Sequence, residues 1–137
     1  MSEATPRRIL DPFDVTRSTR ALAPHDPKLN DIRWLTGEAL RRVNARANGL
    51  CMPEFDTQAS NKLAAAELTV GPTAWPIVKH IVIEGVRVRD CRSFVPEVIT
   101  PWRADAVITD RLRIALDQLG PLLGVTIDST KGMDVQT

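Results

Sequence analysis

"DAVITDRLRIALDQLGPLLGVTID", Asp105 to Asp128, is the stretch on which the fold turns. Ala106 to Ile108 reads as a short apolar strand. Thr109 fits an N-cap, and Asp110 falls in the first turn, where negative charge meets the helix dipole. Leu112, Ala115, Leu116 and Leu119 recur at i, i+3, i+4 and i+7, the spacing of one buried helical stripe. Gly120 followed by Pro121 reads as a helix stop, and Gly124 to Ile127 returns as a strand. Strand, helix and strand together allow a right-handed crossover between parallel neighbours, since the connection is just long enough.

Working backwards, "IVKHIVI" (77–83) is rich in β-branched residues and reads as a strand. "VRVR" (86–89) alternates strictly past Gly85, which puts Arg87 and Arg89 on one face. "SFVPEVITPW" is a short extended piece cut by Pro96. "GPTAWP" (71–76) is a break, residues 50–60 are loop, and residues 61–70 are open between a short helix and a strand start. From Asn30, taken as an N-cap, Ile32, Leu35, Ala39, Val43 and Ala47 repeat at helical spacing with Leu40 beside them. Gly49 stands where a C′ glycine belongs, and Gly37 costs the helix about 1 kcal/mol relative to alanine. Residues 1–29 carry Pro6, Pro12, Pro24 and Pro27 and read as an extended arm.

The expected architecture is therefore α+β. A small mixed or antiparallel sheet, built near 77–83, 86–89, 104–108 and 124–127, is covered by helices over 31–48 and 109–119. The expected division is an arm (1–29), one α+β domain (30–128) and a C-terminal tail (129–137).

The 137 residues suit one domain, and a hydrophobic fraction of 43% with 26% charged is enough to build a core. A net charge of +1 argues against a dedicated nucleic-acid binder, which usually carries a strong basic excess. No apolar run approaches the roughly 20 residues that cross a bilayer, and the N-terminus lacks a long apolar signal core. Two lone cysteines, Cys51 and Cys91, then favour reduced thiols and a cytoplasmic setting.

Residues that could carry chemistry are sparse. His25 sits between Pro24 and Asp26, a poor place for fixed geometry, and His80 sits inside an apolar run. Cys91 could approach His80 if their strands pair, but nothing supplies a third orienting group. No CxxC, HxxxH or paired Cys-His spacing suggests a metal, and no glycine-rich string suggests a phosphate cradle, so no metal or cofactor is expected. Asp105 and Asp110 flank a strand end and form no evident acid–base pair. Arg33, Arg41, Arg42 and Arg46 make one helix basic, which a solvated face explains better than phosphate contact does, since Glu38 interrupts the patch and aromatic residues for stacking are few. Tryptophan and arginine are the commonest interface anchors. Trp34, opposite its helix's apolar stripe, and Trp102 with Arg103 in "TPWRAD" are therefore candidate partner-binding residues. Arg111 and the outward-pointing Ile114 join them. Edge-of-core packing is the alternative for both tryptophans.

Ile81–Glu84, Arg92-Ser93-Phe94, Ile108-Thr109-Asp110, Leu112–Leu119 and Gly124-Val125-Thr126-Ile127 follow one another in a pattern. It resembles the C-terminal part of the Myxococcus-type immunity proteins of bacterial polymorphic toxin systems, over about the last third of the chain. That resemblance implies a cytoplasmic non-enzyme that binds and neutralises a cognate toxin, and it carries over no catalytic residue. The proline-rich arm leaves a second class open, a structural protein of a viral particle or similar assembly. An enzyme relying on His80 is the third.

Overall fold

The structure, a computed structural model, describes residues 11–48 and 56–125. Helix α1 spans Pro12–Thr19, α2 Pro27–Ala47, α3 Asp56–Val78 and α4 Pro101–Leu122. A π turn, Lys79–Ile83, extends α3, and a 3-10 turn, Val88–Phe94, leads toward α4. The described residues contain no strand, so the α+β expectation is overturned: the fold is all-helical.

Each expected strand fails for a physical reason. Ile77, Val78, Ile81 and Val82 are all buried, and they pair at i and i+4, so the β-branched run is a helical stripe. In α4, Ala104 and Ile108 extend the stripe of Leu112, Ala115, Leu116 and Leu119 backwards without a break, which absorbs the expected 104–108 strand. Residues 86 and 87 are irregular, and Val88 and Arg89 open the 3-10 turn. Of the closing strand, only Gly124 and Val125 are described. Gly124 has φ 78°, the left-handed geometry of a C′ residue. Val125 N–H donates to Gly120 O at 2.8 Å and Gly124 N–H to Pro121 O at 3.3 Å. These are the two bonds of a Schellman stop. The helix therefore runs through Gly120-Pro121 and ends three residues later than the sequence suggests. With no strand among the described residues, they hold no parallel crossover.

Two of the arm's prolines, Pro12 and Pro27, are helix starters, while Pro24 lies in a turn and Pro6 lies outside the described residues. Asp11 and Asp26 cap α1 and α2, accepting from Phe13 N–H and Leu29 N–H, and Pro12 and Pro27 take the first helical positions. Proline is favoured there because its missing N–H would have no helical partner. Residues 12–19 are thus a helix instead of an extended arm, and α2 begins before Asn30. Residues 56–70, read partly as loop and partly as ambiguous, form the first limb of α3. The expected break is real at one residue, Gly71, where the chain leaves helical geometry (φ 86°, ψ 168°) before the second limb resumes. Gly49, Cys51 and the C-terminal tail lie outside the described residues.

α4 packs on α2, α3 and the 3-10 turn; α2 also packs on α3 and the π turn, and α1 lies on α2. The core joins Phe13, Leu22, Leu40, Ile77, Ile81, Val95, Ile108, Leu112, Leu116 and Leu119. Burying each large aliphatic side chain contributes about 1.5–3 kcal/mol. In α2 the most buried face runs through Thr36, Gly37 and Leu40, while the expected Ile32, Leu35 and Val43 are half-buried.

Polar ties hold residues 11–26 against this core. Asn30, 1% exposed, accepts from Leu22 N–H (2.9 Å) and Ala23 N–H (3.0 Å). Its amide donates to Thr16 O and Arg17 O. Arg33 forks onto Asp117 at 2.8 and 2.7 Å and donates to Leu22 O. Arg113 donates to Ala21 O. Arg41 reaches Val82 O, Asp11, Asp14 and Glu38, and lies over the Phe13 ring. Burial works against the Arg41 charge, but the hydrogen bond and charge of Asp11, with Asp14 and Glu38, more than offset it, so its pKa is raised. From residue 11 onward, the segment expected to reach toward neighbouring subunits is tied to its own domain.

Candidate functional site

The clearest exposed apolar feature stands where α4 begins. Ile99 is 92% exposed and Trp102 67% exposed. Val95, fully buried, anchors the loop before them, and Val98 N–H closes a turn onto Val95 O at 3.0 Å. Thr100 is the N-cap residue and Pro101 the first helical residue, which places Trp102 in the first turn. The Arg103 guanidinium lies 5.5 Å from the centre of the Trp102 ring. A cation over an exposed indole covers one face of it and lends it charge.

Two ion pairs brace this prong. Arg92 of the 3-10 turn forks onto Asp105 of α4 with both distances 2.8 Å. Arg111 reaches Glu97 at 3.4 Å. One clamp ties the 3-10 turn before the loop to the second turn of α4, and the other ties the loop itself to the third turn, so the prong is held on both sides. A surface ordered before binding loses less entropy on association.

The Arg92 hydrogen bond, opposed by partial burial and aided by its charge and that of Arg89, holds the Asp105 carboxyl below its ordinary value of 3.8. A depressed folded-state pKa contributes stability that is present above the unfolded value and lost as the pH falls through the folded one. Acid titration of unfolding should therefore show a shallower loss below pH 3.8 in Asp105→Asn than in the parent. Water reaches both side chains, so the difference should be small. Identical acid limbs would show that the clamp contributes nothing.

The sequence-expected anchors divide. Trp102 and Arg103 form the prong. Arg111 is a brace, engaged with Glu97. Ile114, 52% exposed, is twelve positions from Trp102. At 3.6 residues per turn that places it about 120° around the helix and about 18 Å along it. Trp34 lies elsewhere, half-buried on α2 and packed against the core, with Arg17 4.5 Å over its ring and its indole N–H buried without a hydrogen-bond partner. Ile99 was missed; the signal available was a β-branched pair, Val98-Ile99, stranded between Pro96 and Pro101, where only one of the two can turn inward.

The candidate chemical residues are also placed. His80 Nδ1 lies 2.8 Å from Pro76 O, so Nδ1 carries the proton, and Nε2 faces Glu84 at 3.6 Å. Its ring meets Phe94 edge-on at 4.9 Å. The buried Cys91 thiol donates toward Arg87 O. Burial, then Asp90 and Glu84, raises its pKa, which disfavours the thiolate. His25 is exposed in the turn before α2. Among the described residues no group of three or more His, Cys, Asp or Glu could hold a metal ion, and no helix is long and apolar enough to cross a membrane.

No family model, no curated protein and no solved structure matches the chain.

Proposed function

We propose that this chain is a protein-binding module without a catalytic role, docking through Ile99, Trp102 and Arg103. The observation that supports this reading is the braced prong itself. Two large apolar side chains stand in solvent within four residues, held by ion pairs on both flanks. Exposed aromatic and arginine side chains on a rigid frame are what binding hot spots are made of. In its narrower form the proposal is an immunity protein that neutralises a cognate bacterial toxin. The C-terminal residue pattern is the support for that form.

Co-expression with the product of a neighbouring toxin gene tests both levels. The parent chain should bind that product and protect the cell. Ile99→Ser with Trp102→Ser should weaken binding by about tenfold or more while melting like the parent, since both side chains are largely exposed. Full binding by the double variant would overturn the prong. Absence of binding and protection by the parent would overturn the immunity role.

A further inference from the structure

We propose that the groove between α2 and α3 binds a small zwitterion of the amino-acid class with an apolar side chain. The groove has a volume of about 370 Å³ and draws residues from both sides of the Gly71 break. That volume lies at the small end of ligand sites, which run about 300–1,000 Å³.

Its floor is apolar: Leu63, Trp75 and Ile83 are half-buried and rest on the core. Its rim carries charges of both signs, Glu67 and Glu84 against Lys79. Among the described residues, the side chains of Glu67 and Lys79 make no hydrogen bond or ion pair, and Glu84 has only His80 at 3.6 Å. At Arg33–Asp117 and Arg92–Asp105 opposite charges close into ion pairs. Here opposite charges line one opening without meeting.

A simple cation would be drawn to the two carboxylates but repelled by Lys79. A simple anion would meet the reverse. A ligand carrying an ammonium and a carboxylate a few bonds apart sets each charge against a counter-charge. Its side chain then covers the Trp75 and Leu63 surface, which burial favours. None of the prong residues lines this groove, so the two proposals stand or fall separately.

Isothermal titration of the full chain with leucine, leucinamide and 4-methylpentanoate is the test, with phenylalanine as a second zwitterion. Leucine or phenylalanine should give saturable heat, and each leucine analogue lacking one charge should bind about tenfold more weakly or worse. Lys79→Gln should lower leucine affinity about tenfold and bind leucinamide at least as tightly as the parent does, because a repelling charge is gone. Lys79 is exposed, so the melting temperature of that variant checks that the fold is kept. The proposal is overturned if neither zwitterion gives saturable heat at millimolar concentration. It is equally overturned if leucinamide matches leucine, or if Lys79→Gln leaves leucine binding intact.

Discussion

Asn30→Leu is expected to lower the unfolding free energy by about 3 kcal/mol, read from the urea midpoint at unchanged slope. The leucine is close in size, so the loss isolates the amide. Asn30 is 1% exposed, and no water can replace what it supplies. Leu22 N–H depends on its oxygen, and Ala23 N–H has only a longer second bond, to Arg20 O at 3.3 Å. Orphaning a buried backbone donor costs about 1–3 kcal/mol, and the lost bonds to Thr16 O and Arg17 O add to that. Asn30→Asp separates the two halves of the amide. It keeps the acceptor but turns a carboxylate toward two carbonyls, so its deficit should shrink in acid, where the protonated carboxyl can donate. A loss below about 1 kcal/mol in Asn30→Leu would mean that residues 20–26 do not depend on this side chain.

Gly37→Ala should destabilise by about 2 kcal/mol, against the roughly 1 kcal/mol gain that helix propensity alone assigns it. A Cβ at residue 37 would overlap the Cζ–Cε2 edge of the Phe13 ring, which is fully buried. Either the ring moves, disturbing the Arg41 stacked on it, or α1 lifts. In a Phe13→Leu background the same substitution should cost much less, because the overlapping atoms are gone. That non-additivity, measured in a double-mutant cycle, is the diagnostic. A Gly37→Ala protein more stable than its parent would show that Phe13 does not seat there.

The same two positions show what could be read before the structure. The helical stripe of Leu112 to Leu119 was legible because its period is unambiguous. The run Ile77–Ile83 is strand-like by residue type and helical by period: β-branched residues favour strands, yet 77/81 and 78/82 pair as a helix pairs, and period decides. "DP" at 11–12 and 26–27 is ambiguous in a related way. Proline excludes itself from helix interiors and favours helix starts, and only the preceding aspartate tells the two apart. Gly37 looked like a local cost because its reason, Phe13, lies 24 positions away. Asn30 looked like a cap because capping is what an asparagine before a helix usually does. Of the proposed docking prong, residue type alone points to Trp102 and Arg103, which stand in the first turn of α4 and not in a loop. The bracing was not legible, since Arg92–Asp105 and Arg111–Glu97 each join groups that come together only through tertiary packing.

The ties of Ala21 and Leu22 also set an order of events on the ribosome. Arg113 and the Arg33–Asp117 fork secure a turn synthesised about 90 residues earlier. At roughly 5–20 residues per second, that turn waits several seconds for its last partners. Asn30 and Arg33 supply ties from nearby, but the pair with Asp117 can close only after α4 has emerged. The first described segment is thus made early and locked late, and a nascent chain arrested before residue 113 would leave it half-fastened.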